Sequence, residues 1–333
     1  MTSRSISVVI PTYNRAALLG RAVESALAQT VAPLEILIVD DGSTDNTTDL
    51  CGAWGAPVRY IKTPNGGVAK ARNVGMAEAR GEWVALLDSD DEWEPDKLAA
   101  QCAALDAASE ARWCITGCTL IDGDGQPRAG RQGYEAAFPV FSEVKDTAAE
   151  YFGRALKSIG PDTYAGDLYA TLFRGNVVLP SSAMIHRSVF EKCGMFDPQF
   201  RYAEETQFFH RVAAEFPVVV VLSRLVRYRV AQAGSLTSSA NTQTLITNAL
   251  LSLDRAATLR PATPSSRLAY AAGKHSLLLR LAYARLSERD TRGARSAAVQ
   301  AWAKPRAWGI FVASLLPASV LGGLHQLKRR IRA

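Results

Sequence analysis

Ile6-Ser7-Val8-Val9-Ile10-Pro11-Thr12-Tyr13-Asn14 begins as a β-branched run and ends in a proline, a hydroxyl, an aromatic ring and an amide. A continuous apolar run of this length suits a strand buried on both faces, the habit of parallel sheets. Outward from it the pattern repeats: helical spacing over residues 16–29, strands at 35–39 and 58–62, a helix over 69–79 and a strand at 83–87. That alternation predicts βαβ units, and hence an α/β fold with a mostly parallel central sheet flanked by helices.

The chain has 333 residues, enough for one large α/β domain with an appendage. Hydrophobic residues make up 48% and charged residues 21%, which excludes a disordered or fibrous chain. The net charge of +6 is unevenly spread: from Arg255 onward fifteen Lys/Arg face two acids, so this tail carries +13 and the preceding part −7. An acid-leaning body argues against a nucleic-acid binder, and the basic tail suits an anionic surface such as membrane headgroups. Five cysteines (Cys51, Cys102, Cys114, Cys118, Cys193) form no C-x-x-C and sit among apolar neighbours, which suits reduced core thiols and a cytoplasmic compartment. Met1-Thr2-Ser3-Arg4-Ser5 leads into the first strand without a signal-peptide pattern, so no export is expected.

Past Trp113 the pattern is less regular, with strand-like pieces at 113–120, 182–185 and 218–222 and long Gly/Pro-containing connections at 123–133 and 160–175. Connections of that length in a compact domain suit binding loops. Three helical segments follow at 242–259, 265–286 and 291–303. The organisation expected is a domain over 1–235 (in two halves, 5–110 and 111–235), a helical appendage over 236–305 and an apolar, basic tail over 306–333. Residues 308–324 carry no charge, are interrupted by Pro317 and Gly322-Gly323, and precede Lys328-Arg329-Arg330-Ile331-Arg332. That is short for a spanning helix and fits an interfacial anchor; a helix packed on the body is the alternative.

Ligands of open parallel sheets bind beyond the carboxyl ends of the strands. Here those ends read Pro11-Thr12-Tyr13-Asn14, Asp40-Asp41-Gly42-Ser43-Thr44-Asp45 and Asp88-Ser89-Asp90-Asp91. Carboxylates converging on one edge repel each other unless a cation or hydrogen-bond donors sit among them. Asp88-x-Asp90 sets two carboxylates two residues apart after an apolar strand, hard oxygen ligands suited to Mg2+ or Mn2+ bound with a diphosphate; a solvated acidic turn capping the next helix is the plainer reading.

Taken in order, Val8–Asn14, Val39–Asp45, Asn65-Gly66-Gly67 with Ala71-Arg72-Asn73, and Leu87–Asp91 strongly resemble the family 2 glycosyltransferases, tightly over residues 5–110 and loosely to about Arg229. The resemblance implies a GT-A fold, a nucleotide-sugar-binding α/β domain with its nucleotide-binding half over 5–110 and its acceptor half over 111–235, here with a C-terminal helical appendage. It implies that Pro11, Thr12 and Tyr13 line the base pocket, with Tyr13 as stacking face, and that Asp41 accepts from a uracil or thymine base while Asp40 supports the turn. Asn65, Gly67 and Arg72 match positions that approach the nucleotide. Asp88, with Ser89, would reach the ribose, and Asp90, with Asp88 and Asp91, would hold Mn2+ or Mg2+ on the diphosphate.

The family's Glu-Asp pair corresponds to Glu204-Glu205, so a glutamate stands where the base is usually aspartate; both could instead merely favour a helix N-terminus. Inverting transfer needs such a carboxylate to deprotonate the acceptor hydroxyl. Arg227-Tyr228-Arg229 resembles the family's Tyr-Arg element without its usual histidine, and the absence of a Gln-x-x-Arg-Trp set argues against a processive synthase. His186 is read as a structural histidine or an extra metal ligand, His210 as packing, and Asp45 as a helix cap.

The implied activity is metal-dependent transfer of one sugar from a UDP- or dTDP-sugar to a glycan or lipid-linked acceptor, at the cytoplasmic face of the cell membrane. A nucleotide-sugar-binding scaffold with a weakened site is the competing class. A nucleotidyltransferase or a dinucleotide oxidoreductase is excluded, because no glycine-rich phosphate loop follows the first strand.

Overall fold

The computed structural model describes residues 4–127, 148–175, 177–230, 241–301, 305–313 and 315. Residues 130–147 of the expected acceptor region, the stretch 231–240 and most of the 306–333 tail lie outside it. The chain divides into two compact units, Met1–Ala233 and Gly234–Ala333.

The first unit is built on a ten-stranded sheet. Its parallel half comprises β1 (Ile6–Thr12), α1 (Ala16–Leu27), β2 (Glu35–Asp40), β3 (Val58–Lys62), α2 (Val68–Glu78) and β4 (Trp83–Leu86). Next come β5 (Glu92–Trp93), α3 (Lys97–Asp106), β6 (Trp113–Ile121), β7 (Lys157–Gly160), β8 (Thr163–Gly166), β9 (Met184–His186), α4 (Glu204–Glu215) and β10 (Val218–Arg229). The order is β3-β2-β1-β4-β9-β6-β10-β8-β7, with β5 pairing β10. Strands β3, β2, β1 and β4 run parallel, β9 enters antiparallel between β4 and β6, and β10 runs parallel to β6.

All seven residues of β1 and all six of β2 are buried, which explains their unbroken apolar runs; β3, at the edge, is only partly covered. Leu19, Ala22, Val23 and Ala26, at helical spacing on α1, close over this sheet. These parallel strands deliver three polar turns to one edge: residues 12–14, 40–45 and 87–91. Cys51, Cys102, Cys114 and Cys118 are buried free thiols.

Three features depart from the sequence reading. The turn after β2 contains a helix at Thr47–Cys51. The stretch 160–175, read as a loop, contributes β8 and a short helix at Tyr169–Leu172. Strand β10 continues to Arg229 rather than ending near 222, because it keeps pairing with β6 beyond a register break between Val221 and Arg224. Ser223 and Arg224 interrupt the apolar run there and hide the continuation.

The second unit contains α5 (Thr242–Ala256), α6 (Pro264–Ser287), α7 (Thr291–Gln300) and α8 (Pro305–Ala313). Thr263 and Ser266 form a capping box ahead of α6, with Pro264 at its first turn, and the Asp290 carboxylate accepts from the Gly293 amide at 2.8 Å to start α7. Ile246, Leu278, Leu281, Ala297, Ala298, Ala307 and Ile310 form its core. The start of the apolar tail therefore packs within this unit through Ala307 and Ile310, while Trp308 and Val312 stay exposed. Among the described residues no helix is long and apolar enough to cross a membrane.

Candidate active site

At the ends of β1 and β2 almost every polar group is tied to another. The Asp40 carboxylate, fully buried, accepts from the Ser43 amide at 2.7 Å and the Tyr60 hydroxyl at 2.6 Å. It supports the turn, as the resemblance implies. Asp41 accepts from the amides of Gly66 and Gly67, both at 2.8 Å, and its own carbonyl accepts from the Asn65 side chain at 3.0 Å. The residue expected to meet the base thus has both carboxylate oxygens engaged in holding the 65–67 turn. Gly67 has φ of +89°, which L side chains resist, and leaves open space where a Cβ would stand. Asn14, absent from the expected site, accepts from the Thr44 amide at 2.8 Å and joins the first turn to the second. Asp45 accepts from the amides of Thr47 and Ala16, the capping role expected of it.

Onto this frame project two uncommitted groups. Tyr13 is 46% exposed, a free ring rather than a core aromatic. Thr12 Oγ1 is buried without a hydrogen-bond partner, an orphan that a ligand would satisfy. Pro11 is buried in β1 opposite Val39, so it shapes the edge from below.

The turn after β4 is arranged differently. Ser181, fully buried, donates to Asp91 Oδ2 at 2.6 Å and accepts from the Asp88 amide at 3.0 Å. The Arg229 amide donates to Asp91 Oδ1 at 3.0 Å, and Arg229 Nε donates to the Asp90 carbonyl at 3.0 Å. Asp91 therefore points inward with both oxygens engaged, which removes it from the expected metal ligands and makes it a prop for the turn. Ser89 is buried with it. Asp90 has its carboxyl pushed above the usual range, first by burial and then by the charge of Asp88, with Arg15 and Arg229 offsetting only part.

Asp88 and Asp90 are the carboxylates of this turn left to offer hard oxygen to a divalent cation, Asp88 with one oxygen already on Arg72. Among the described residues no group of three or more His, Cys, Asp or Glu side chains could hold a metal alone, so the chain would offer Asp90 and Asp88, with diphosphate and water completing a hard-oxygen shell. His186 takes no part: it pairs opposite Trp83 at the start of β4, accepts from the Ser188 amide and contacts Glu82.

Helix α4 brings the remaining carboxylates. It starts from Ala203, whose φ of +60° lies in the left-handed region, an uncommon and costly conformation for a residue with a Cβ. Glu204 is buried and accepts from Arg72 Nη1 at 2.7 Å, while Arg72 Nη2 reaches Asp88 Oδ1 at 2.7 Å. Arg72, expected at the nucleotide, is instead a buried clamp between the turn after β4 and the start of α4, stacked 5.3 Å from the Phe196 ring. Its Nε lies buried without a partner. Glu205 has its carboxyl pushed up to about 8, by burial first and by the charge of Glu204 next. Burial raises the Tyr228 phenol, and the charges of Asp91, Asp90, Asp88 and Glu205 raise it further. His210 Nδ1 donates to the Thr206 carbonyl of its own helix at 2.7 Å, and burial holds the ring neutral, a packing residue. Ser181 and Asn14 carry no signal in the sequence beyond being small and polar; their importance comes from the fold.

The fold is an α/β domain of the GT-A type, with a carboxylate-rich edge and a carboxylate helix beside it. Residues 7–152 match the family described as Glycosyl transferase family 2. Over 148 residues, 43% of this chain, the sequence is 46% identical to the chondroitin synthase of Pasteurella multocida, covering 15% of that protein. Over the same length it is 50% identical to an uncharacterised glycosyltransferase of Nostoc sp., covering 46% of it. The chain thus spans less than half the length of these curated relatives. Among solved structures it resembles residues 1–349 of S. aureus TarS, with a TM-score of 0.59, 16% identity and coverage of 93% of this chain and 88% of that one. The same TarS fragment has been solved with UDP and with UDP-GlcNAc. Over residues 7–152 the chain is thus similar to glycosyl transferase family 2.

Proposed function

We propose that this chain transfers one sugar, with inversion, from a UDP- or dTDP-sugar to an acceptor hydroxyl in a divalent-metal-dependent reaction of cell-surface glycan or lipid-linked oligosaccharide synthesis. The observation that carries it is the Arg72 clamp, which ties Asp88 of the turn after β4 to Glu204 at the start of the helix that carries Glu205. Tyr13 and the Thr12 hydroxyl receive the base and ribose edge over the frame held by Asp40 and Asp41. Asp90 and Asp88 hold the cation, which when bound neutralises charge on the departing diphosphate. Glu205 takes the acceptor proton; its raised affinity for protons makes it a stronger base than an ordinary carboxylate. The basic, apolar C-terminal segment supports peripheral contact with anionic lipid at the inner face of the membrane.

The test is release of diphosphate from a panel of nucleotide sugars, with and without Mn2+, using membrane extract as acceptor source. Metal-dependent turnover of one donor, lost in Asp90→Ala and Glu205→Gln, supports the reading. Metal-dependent nucleotide binding without turnover of any donor would turn it toward the scaffold, which the glutamate at 205 favours.

A further inference from the structure

Beside the Asp88–Asp91 turn, three arginines share one carboxylate. Arg229 Nη2 pairs with Glu92, Arg227 Nε stands 3.5 Å from Glu92 Oε2, and Arg21 Nη1 stands 3.7 Å from Glu92 Oε1. Their focus is Gly125, whose φ is +85°: a methyl group placed on it would lie 3.1 Å from Arg21 Nη1, 3.6 Å from Arg227 Nη2 and 3.6 Å from Arg229 Nη1. Arg229 is saturated, donating to the carbonyls of Asp90, Asp122 and Gly123 as well as to Glu92. The other two are not. Among the described residues Arg227 donates to the Gly125 carbonyl, at 2.7 Å, and its buried Nε, 3.5 Å from Glu92 Oε2, makes no hydrogen bond. Arg21 makes no hydrogen bond among the described residues and is half exposed.

Beyond Glu92, which all three arginines share, the acids nearby do not supply what is missing. Asp122 turns its carboxylate onto the amides of Asp124 and Gln126, and Asp124 pairs with no arginine among the described residues. An arginine fork with unspent donors and a buried orphan N–H is the arrangement that recognises an oxyanion.

We propose that Arg21 and Arg227, around Gly125, form a subsite for an anionic group of the acceptor, a uronate carboxylate or a phosphate. It rests on the glycosyltransferase reading. Arg229 joins the subsite to the Asp90 backbone, so an anion held there lies beside the transfer centre while the metal and diphosphate occupy Asp88 and Asp90. An acceptor bearing such a group would be oriented by it, and a neutral one would not.

The experiment saturates the full chain with UDP and Mn2+ and titrates glucuronate, inorganic phosphate and uncharged glucose by calorimetry, in wild type, Arg227→Gln and Arg21→Gln. Arg21→Gln, at an exposed helix position, serves if Arg227→Gln fails to fold. The expected result is binding of glucuronate, phosphate or both, none of glucose, and at least about tenfold weakening in each variant, as loss of a charge-assisted hydrogen bond implies. UDP affinity should stay within about twofold, in keeping with independent sites. Preference for glucuronate would assign a uronate, and preference for phosphate a phosphorylated acceptor. If wild type binds UDP but neither anion, or if both variants bind the anions as wild type does, the subsite is wrong while the donor reading stands. Equal loss of UDP affinity in the variants would assign the arginines to the donor and overturn the inference. Failure of wild type to bind either UDP or dTDP would overturn both.

Discussion

Asp40-Asp41 after β2 and Asp90-Asp91 after β4 are the same dipeptide at the same edge of one sheet, yet they have been put to different uses. In the first pair every carboxylate oxygen has a donor: the Ser43 amide and Tyr60 hydroxyl on Asp40, the Gly66 and Gly67 amides on Asp41. In the second only Asp91 is so provided, by Ser181 and Arg229, and Asp90 is left buried beside Asp88 with its proton affinity raised. A carboxylate with its donors supplied by the protein is a structural part; one left short of them is ready for a cation. The first turn is shaped and the second is charged, and the difference lies in the neighbours rather than in the motif.

The contrast can be broken most directly by exchanging charge for shape. Asp90→Asn should cut sugar transfer by about 10³-fold or more, the scale of losing a charge-stabilising group, and abolish the metal dependence of UDP binding, while the melting temperature holds or rises. If Asp41→Asn costs as much in kcat, the distinction fails. Glu205→Gln should lower kcat by about 10²–10⁴-fold, as removal of a general base does. Because the base acts deprotonated and its carboxyl sits at about 8, wild-type kcat/KM should climb as pH rises through that value and level off above it. A flat profile from pH 6 to 9 would remove Glu205 from the role.

Asp41→Ala reads the other side of the comparison. Losing two charge-assisted hydrogen bonds, each worth about 1.5–3 kcal/mol, should destabilise the first unit by about 3 kcal/mol in denaturant titration and raise the donor KM, leaving kcat at saturating donor within about tenfold. Ser181→Ala should have the smallest effect, about 1–2 kcal/mol of stability and a modest rise in the metal requirement, since it frees the Asp88 amide and one oxygen of Asp91 together. A kcat loss matching that of Asp90→Asn would show that the turn's position, not its charge, limits the reaction.

The parallel half of the fold was legible because its strands are buried on both faces and its helices carry one apolar stripe, so local pattern and tertiary role coincide. Strand β10 was read as too short because Ser223 and Arg224 mark a register break that sequence cannot distinguish from an end. In the site, chemistry was easier to read than partnership. Asp88, Asp90, Glu204 and Glu205 stand out as carboxylates, but Asp91 turning inward depends on Ser181, ninety residues away, and Arg72 serving α4 rather than a nucleotide depends on Glu204. Contacts of that kind are set by topology, and nothing in the neighbourhood of either residue announces them.

The Arg72–Glu204 bridge joins positions 132 residues apart, and this bears on how the chain can be cut. The stretch that matches the family, residues 7–152, contains Arg72 and both turns but ends before Glu204. A fragment trimmed to it would keep the nucleotide frame and release one arm of a buried guanidinium with nothing to receive it. The smallest piece that behaves as a unit therefore runs through β10, and the boundary of the recognisable sequence is not the boundary of a portable module.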